Sequence, residues 1–195
     1  MRPLAELRTE RLRLRASDPA LAAAVAAYYQ RNREAHARWN PPLPETLFTE
    51  QGEQERLAAA AKAEACGTQI GWWVSLRDDG EARVIGHARF SQIARGPFCN
   101  AVLGYAIDAA HEGRGLMREA LVAALADAFG PRVALHRVQA NARPENTRSL
   151  LLLARLGFVV EGVAEEYLFI DGAWRDHVLT ARRAPGWPAD LAPAT

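Results

Sequence analysis

The amino-acid sequence predicts a mixed α/β fold in which a mostly antiparallel central sheet is flanked by helices. Strand-like runs precede and follow Asp78-Asp79-Gly80, a sequence that is typical of a hairpin turn. From about residue 100 onward, strand-like runs instead alternate with helical segments. Antiparallel strands followed by a strand–helix–strand–helix–strand unit are typical of one mixed sheet covered by helices.

The chain length and composition favour a single domain. The sequence has 195 residues, of which 49% are hydrophobic and 24% are charged, an ordinary globular composition with enough apolar side chains for a core. We expect the domain to span residues 1–184. Residues 185–195, rich in Pro and Ala, are predicted to form a loose C-terminal tail.

The N-terminal elements follow from periodicity and from helix-start and helix-stop residues. Leu and Arg alternate over residues 7–15, which predicts a strand with one buried face. Ser17-Asp18-Pro19 predicts a helix start, because Asp caps free N–H groups and Pro is tolerated in the first turn. That helix is predicted to run to about residue 31, a second helical piece leads to Trp39, and a third helix covers residues 49–65.

The remaining elements lead to the C-terminus. The predicted strands cover residues 70–76, 83–92, 100–108, 136–140 and 158–163, and a final hairpin pairs residues 167–170 with residues 175–182. The predicted helices cover residues 115–129 and 146–156.

Charge, cysteine content and hydropathy exclude several classes. The net charge is +1, from 24 basic and 23 acidic residues, which argues against nucleic-acid binding through a basic face. The two cysteines, Cys66 and Cys99, give neither a disulfide framework nor zinc-ligand spacing, so no metal is expected. The charged N-terminus is not typical of a signal peptide, and no run of 18 apolar residues predicts a membrane span. A reduced, cytoplasmic protein is the simplest interpretation.

A glycine-containing turn joins the strand that ends at Asp108 to the next helix. Its sequence is Glu112-Gly113-Arg114-Gly115-Leu116-Met117. The glycines permit a tight turn that exposes backbone N–H groups, and the helix dipole adds positive charge, so the turn suits a phosphate. It is not a Walker loop, since no Gly-Lys-Ser/Thr follows, and Arg118 stands where a Rossmann fingerprint has its third glycine. The turn alone also fits a plain strand-to-helix connection.

A second motif narrows the interpretation. After the strand at residues 136–140 comes Arg143-Pro144-Glu145-Asn146-Thr147-Arg148-Ser149, and the following helix ends in Ala154-Arg155-Leu156-Gly157-Phe158. With the glycine turn, this order resembles the GNAT superfamily of acetyl-CoA dependent N-acetyltransferases. More narrowly, it resembles the RimJ/RimL-type ribosomal-protein alanine N-acetyltransferases, and residues 165–181 are closer to the RimJ branch.

The resemblance implies a fold, a donor and an acceptor. It implies the GNAT fold, with the sheet splayed between its fourth and fifth strands, here residues 100–108 and 136–140, and coenzyme A in the gap. The implied reaction is direct attack of an amine on acetyl-CoA in a ternary complex, without a metal. The implied acceptor is the N-terminal alanine of a ribosomal protein, and the implied assembly is a monomer or a homodimer.

The resemblance also implies roles for individual residues. Ile107 and Asp108 would present backbone groups to the pantetheine arm, and Asn146 would contact coenzyme A as well as cap its helix. Ser149 is the expected general acid, because the position of the usual tyrosine is Leu153. The residues expected to hold the pyrophosphate are Gly113, Arg114, Gly115, Leu116 and Met117.

Three points stay open at this stage. The general base is not identified, and Glu112, His87, His177, Glu166 and Asp176 are all possible. Trp39, Asn40-Pro41-Pro42 and Tyr167 are expected near the entry of the acceptor, and Arg114 or Arg118 is expected to offset the charge of Glu112. The alternatives to a ribosomal acceptor are a small-molecule amine or antibiotic, another protein N-terminus, or a non-catalytic CoA-binding regulator.

Overall fold

The computed structural model describes residues 6–78 and 83–186. Within these ranges the strands are β1 (Glu6–Arg8), β2 (Leu12–Arg15), β3 (Ile70–Leu76), β4 (Gly86–Ala94), β5 (Asn100–Ile107), β6 (Arg137–Ala142), β7 (Val159–Ile170) and β8 (Ala173–Arg183). The helices are α1 (Ala22–Ala37), α2 (Glu50–Ala65), α3 (Leu116–Phe129) and α4 (Thr147–Arg155). Residues 79 and 80 of the predicted hairpin turn, and residues 187–195 of the predicted tail, lie outside the described residues.

All the described strands form one sheet in the order β1-β2-β3-β4-β5-β6-β8-β7. Among the described strands only β5 and β6 are parallel, because α3 connects them as a crossover, and every other described pair is antiparallel. The predicted mixed α/β fold with a mostly antiparallel sheet is therefore confirmed.

The sheet opens between β5 and β6. These strands pair only from Asn100 opposite Arg137 to Val102 opposite Gln139, although β5 continues to Ile107 and β6 to Ala142. Beyond Val102 each strand leaves backbone groups that face a gap and not a neighbouring strand. The gap lies at the residues expected from the sequence, but the two strands are the fifth and sixth of this sheet.

The numbering differs because the predicted N-terminal strand is a short hairpin. The Thr9 N–H donates to the Leu12 carbonyl at 3.0 Å, and β1 then pairs antiparallel with β2. Glu119 of α3 fixes this turn by accepting from Thr9 Oγ1 at 2.6 Å and from the Arg11 N–H at 2.8 Å. Alternation alone could not reveal the turn, since the carboxylate that holds it lies more than a hundred residues away.

Two further boundaries differ from the sequence prediction. The two helical pieces predicted up to Trp39 form one helix, α1, which ends at Ala37. The strand predicted at residues 158–163 and the first strand of the last hairpin form one long strand, β7. Register shifts after Val160 and after Ala164 interrupt its pairing with β8, which explains why the sequence pattern breaks there.

Helices cover both faces of the sheet. Trp72 packs in one apolar cluster with α3 and α4, and its neighbour Trp73 packs in a second cluster with α1 and α2. The small side chains Ala120, Ala124 and Ala128 are fully buried and bring α3 close to the sheet. Among the described residues, no helix is long and apolar enough to cross a membrane.

Candidate functional site

A cavity of 360 Å³ lies where the sheet opens, bounded by the end of β5, the glycine turn and α4. It brings together residues that are far apart in sequence. Its lining includes Ile107, Gly113, Gly115, Leu116, Met117, Asn146 and Ser149 from the predicted site, together with His36, Trp39, Tyr105, Glu112, Arg118, Arg148 and Arg155.

The glycine turn has the backbone geometry of an anion site. Gly113 and Gly115 both have φ +73°, a left-handed conformation that other residues adopt at a cost, and Gly115 caps α3. In the described part of the chain, the N–H groups of residues 113–118 donate to no protein acceptor. Free N–H groups at a helix start, together with the helix dipole, favour a phosphate group.

Arginine side chains surround this end of the cavity. Arg118, Arg148 and Arg155 all contribute to its lining. Arg148 forms an ion pair with Glu112. The negative charge of Glu112 is therefore offset by an arginine of α4, and not by Arg114 or Arg118 as expected from the sequence. The cavity therefore presents a cationic mouth next to free backbone donors, which suits a ligand that carries several phosphates.

Asn146 and Ser149 lie at the start of α4. Asn146 caps the helix, with its Oδ1 accepting from the Ser149 N–H at 3.1 Å. The Ser149 hydroxyl lies 2.5 Å from the hydroxyl of Tyr105 on β5. Burial raises the pKa of Tyr105 to about 12, and the bond to Ser149 offsets only part of that effect. Two hydroxyl groups thus face the cavity as one hydrogen-bonded pair.

Ile107 directs its backbone groups into the gap. Its neighbour Asp108 donates its N–H to the Ile85 carbonyl at 2.7 Å, on the β4 side of the strand. Because hydrogen-bonded and non-hydrogen-bonded positions alternate along an antiparallel pair, Ile107 faces the opposite edge, toward β6. Tyr105 is two residues before Ile107, and the register is regular between them, with Ile107 opposite Gly86 and Tyr105 opposite Ala88. The N–H of Tyr105 therefore points to the same edge as that of Ile107.

Asp108 and Arg114, two of the predicted cofactor residues, lie outside the cavity lining. The Asp108 carboxylate accepts from the Ala110 N–H at 3.0 Å and from Arg31 Nη2 at 3.0 Å. Burial tends to raise the pKa of Asp108, but these hydrogen bonds outweigh it and the pKa is lowered. The Arg114 carbonyl accepts from Arg11, which ties the turn to the N-terminal hairpin. Neither side chain lines the cavity, whereas the Arg114 N–H is one of the free N–H groups of the turn.

A second cavity of 300 Å³ adjoins the first. It lies between α1, the Pro-rich loop that follows it and the tip of the β7–β8 hairpin. His36 and Asn40 line both cavities, and Pro41, Pro42, Asp171 and Gly172 line only the second. Of the residues predicted at the acceptor entry, Asn40, Pro41 and Pro42 lie here, Trp39 lines the first cavity, and Tyr167 lines neither.

His36 stands at the junction of the two cavities in a defined tautomer. Its Nε2 lies 2.9 Å from the Ile107 carbonyl oxygen. A carbonyl only accepts hydrogen bonds, so Nε2 carries the proton and, in the neutral ring, Nδ1 carries the lone pair. The neutral ring therefore carries a basic nitrogen at a residue that lines both cavities.

The candidate bases named from the sequence lie elsewhere, apart from Glu112. His87 packs among Tyr28, Tyr29 and Trp73, and burial lowers its pKa well below the ordinary value. His177 is buried beneath Tyr167 and donates to the Arg175 carbonyl. Glu166 and Asp176 lie on the β7–β8 hairpin, where the Asp176 carboxylate accepts from the Glu166 N–H.

Tyr105 and His36 are the residues that the sequence interpretation missed. Tyr105 lies two residues before Ile107 on the same strand, so the period of two was a signal that both share an orientation. His36 carried no local signal, because its role depends on the packing of α1 beside the end of β5. In the described residues, no cluster of three His, Cys, Asp or Glu side chains forms a metal site.

Comparison with known proteins agrees with this geometry. Residues 11–159 match the family described as an acetyltransferase (GNAT) domain. The chain is 42% identical over 186 residues to the ribosomal protein uS5-alanine N-acetyltransferase of Escherichia coli K12, with 95% of this chain and 94% of that protein covered.

Solved structures show the same fold. The ribosomal-protein-S5-alanine acetyltransferase of Vibrio fischeri superposes with a TM-score of 0.88 at 34% identity, covering 94% of this chain and 98% of that one. RimJ of Mycobacterium smegmatis, solved with CoA-disulfide, superposes with a TM-score of 0.82 at 28% identity, covering 93% of this chain and 85% of that one. The family match, the close relative and the shared fold lead to one conclusion: the chain belongs to the GNAT family of acetyl-CoA dependent acetyltransferases.

Proposed function

We propose that this chain transfers the acetyl group of acetyl-CoA to the α-amine of an N-terminal alanine on a ribosomal protein. The observation that carries the proposal is the pair of adjoining cavities, one with phosphate-binding features and one without, which meet at His36. A donor and an acceptor held in the two cavities would place the thioester beside the amine, as direct transfer requires. The Escherichia coli and Vibrio fischeri relatives are named as alanine acetyltransferases, which supports alanine as the acceptor residue.

The donor would enter from the cationic end of the first cavity. Its pyrophosphate would accept hydrogen bonds from the N–H groups of residues 113–118. Its pantetheine amides would pair with the free edge of β5, where Ile107 faces the gap. Leu116 and Met117, both buried beside the cavity, supply apolar contacts, and the Asn146 amide nitrogen remains available to the ligand since its oxygen caps α4.

The proton steps fall to three groups: His36, Ser149 and Tyr105. His36 Nδ1 takes a proton from the α-ammonium group, and the neutral amine attacks the thioester carbonyl carbon. The developing oxyanion accepts from the N–H groups on the free edge of β5. The C–S bond then breaks, and the thiolate takes the proton of Ser149 Oγ, which the Tyr105 hydroxyl replaces. The acylated nitrogen loses its remaining extra proton to solvent, the phenolate regains a proton from solvent, and His36 releases the proton it took. The products are therefore an N-acetyl amide, free CoA thiol and one released proton.

The pair of hydroxyls weighs against a non-catalytic CoA-binding regulator. That alternative rested on Leu153, which stands where many relatives have a tyrosine. Leu153 is a buried core residue, whereas Tyr105 brings a phenol to the cavity from the neighbouring strand. The chain therefore retains a phenolic proton donor from a different element.

Acetylation of three peptides tests the proposal. The first peptide has a free N-terminal Ala. The second is the same peptide with its α-amine blocked and one internal residue replaced by Lys, and the third has Ser in place of the N-terminal Ala. We expect acetyl transfer to the Ala peptide, slower transfer to the Ser peptide and none to the blocked peptide, measured by thiol release and mass. Faster acetylation of simple amines or aminoglycosides, or binding of acetyl-CoA without any transfer, would contradict the proposal.

A further inference from the structure

The β7–β8 hairpin exposes an unusual amount of apolar surface. Phe169 and Trp174 face each other across the hairpin in a T-shaped contact with ring centroids 5.9 Å apart, and they are 44% and 60% exposed. Val163 on the same hairpin is 60% exposed. An exposed aromatic pair is typical of a protein-binding surface, because large aromatic side chains give much of the binding energy at interfaces.

Three carboxylates lie on the same hairpin as these apolar side chains. Glu165, Glu166 and Asp176 make no ion pair with any Lys or Arg in the described part of the chain, and β7 itself contains no basic residue. We name the hairpin surface formed by Val163, Glu165, Glu166, Phe169, Trp174 and Asp176 the hairpin patch. It combines an apolar centre with unneutralised negative charge, which fits a basic protein partner.

The hairpin patch is continuous with the second cavity. Asp171 and Gly172, at the turn between β7 and β8, line that cavity. Phe169 and Trp174 are each two residues from this turn, which at about 3.3 Å per strand residue is about 7 Å. The aromatic pair therefore lies about 7 Å along the strands from the part of the hairpin that lines the second cavity.

We propose that the hairpin patch binds the folded body of the acceptor protein while its N-terminus occupies the second cavity. The inference rests on the proposed function and extends it from the terminal residue to the rest of the acceptor. A ribosomal protein neutralises RNA phosphates with Lys and Arg, so it offers the basic surface that Glu165, Glu166 and Asp176 attract. The aromatic pair supplies the apolar anchor, and the carboxylates steer the encounter.

A second copy of this chain fits the hairpin patch poorly. Antiparallel pairing of β7 with β7 of another copy would place acidic side chains only against acidic or apolar ones. The two register shifts also interrupt the outer edge that a regular added strand would use.

The test compares a whole ribosomal protein with its own N-terminal peptide as acceptors. We expect the variant Glu165→Lys/Glu166→Lys to raise KM for the whole protein about tenfold or more, with kcat and the peptide KM unchanged. Trp174→Ala should act in the same direction. The matched control is Glu55→Lys, a charge reversal on the exposed surface of α2, which should change neither KM.

Each outcome decides the inference. A rise in KM for the protein alone supports it, and that KM should then also rise with ionic strength while the peptide KM does not. Unchanged KM values for both acceptors would overturn it, and so would a dimer in solution that the Trp174→Ala variant dissociates. If the wild-type chain acetylated neither acceptor, the proposed function itself would fail. Normal acetylation of the peptide shows that the proposed function holds, so that a negative result with the whole protein then counts against the hairpin patch alone.

Discussion

The Tyr105 hydroxyl lies 2.5 Å from the Ser149 hydroxyl, joining β5 to the first turn of α4 across the cavity. A serine hydroxyl is a weak acid, and a phenol beside it provides a nearby source of the proton that a leaving thiolate requires. In the proposed mechanism both groups act on one proton, so we expect them to behave as a unit.

Removing either hydroxyl should slow acetyl transfer without weakening donor binding. We expect Tyr105→Phe and Ser149→Ala each to lower kcat about 100-fold, the range typical of a lost general acid, with little change in the acetyl-CoA Kd. The double variant should be no slower than the slower single variant, because residues that act as a unit are not additive. Steady-state kinetics with calorimetric Kd values would measure this.

Tyr28→Phe is the matched control. The Tyr28 hydroxyl is buried without a hydrogen-bond partner among the described residues, so its removal should leave kcat unchanged. A Tyr105→Phe variant as active as Tyr28→Phe would remove the phenol from the mechanism.

Tyr105 should ionise later than an ordinary tyrosine. Burial disfavours the phenolate and raises its pKa to about 12, so the hydroxyl stays protonated throughout the neutral range. The protonated Tyr105 therefore contributes to the free energy of unfolding below pH 10, and this contribution is lost as the pH rises through 12. It amounts to at most about 3 kcal/mol. The difference between the ultraviolet titration curves of the wild type and of Tyr105→Phe would show the ionisation of Tyr105. A midpoint near pH 10 would contradict the burial argument.

The left-handed conformation of Gly115 should be required for donor binding. Gly115→Ala should cost about 1–2 kcal/mol in backbone strain and shift the N–H groups of the turn, weakening acetyl-CoA binding about tenfold. A Cβ at this position meets only Arg11 Nη2 at 3.7 Å, so the effect comes from the backbone and not from a clash. Gly104→Ala, in open space at an ordinary φ, should have no effect on affinity.

Glu119 should hold the N-terminal hairpin in a pH-dependent way. Burial raises its pKa, but hydrogen bonds from Thr9 and Arg11 outweigh this, so the folded-state pKa is lowered. The stabilisation is therefore complete above the unfolded value of about 4.5 and is lost as the pH falls through the folded value. Glu119→Ala should cost about 2 kcal/mol at pH 7 and progressively less below pH 4.5, measured by urea unfolding. An equal cost at both pH values would refute this assignment.

Neutralising Glu112 should strengthen donor binding. Its ion pair with Arg148 is partly exposed and contributes little to stability, but it competes with phosphate for the guanidinium group. We expect Glu112→Gln to lower the acetyl-CoA Kd about two- to fivefold at low ionic strength, with a smaller effect at high salt. A weaker complex would mean that Glu112 orients Arg148 toward the ligand and does not compete with it.

The fold was predictable because its signals are local. Apolar runs bounded by turn residues predicted β3 and β5, the cap at Asp18 preceded α1, and Gly115 began α3 as expected. The N-terminal hairpin was missed because Glu119, which stabilises its turn, comes from another element. The length of β7 was missed because the two register shifts break the period of two on which the interpretation relied.

The site was predictable to the extent that it consists of contiguous motifs. The glycine turn and the start of α4 were identified with Gly113, Gly115 and Asn146. The ion pair of Glu112 with Arg148 and the contact of Tyr105 with Ser149 join separate elements, so no spacing in the sequence encodes them. The roles of the predicted site residues remain predictions until the variants above are measured.

The most direct measurement is intact-mass spectrometry of unacetylated small-subunit ribosomal proteins incubated with the purified chain and acetyl-CoA. The account predicts that one protein, with an N-terminal alanine, gains a single acetyl group at its α-amine, and that Tyr105→Phe strongly slows the gain. No mass change in any of these proteins, with acetyl-CoA still bound and a small amine acetylated instead, would contradict it.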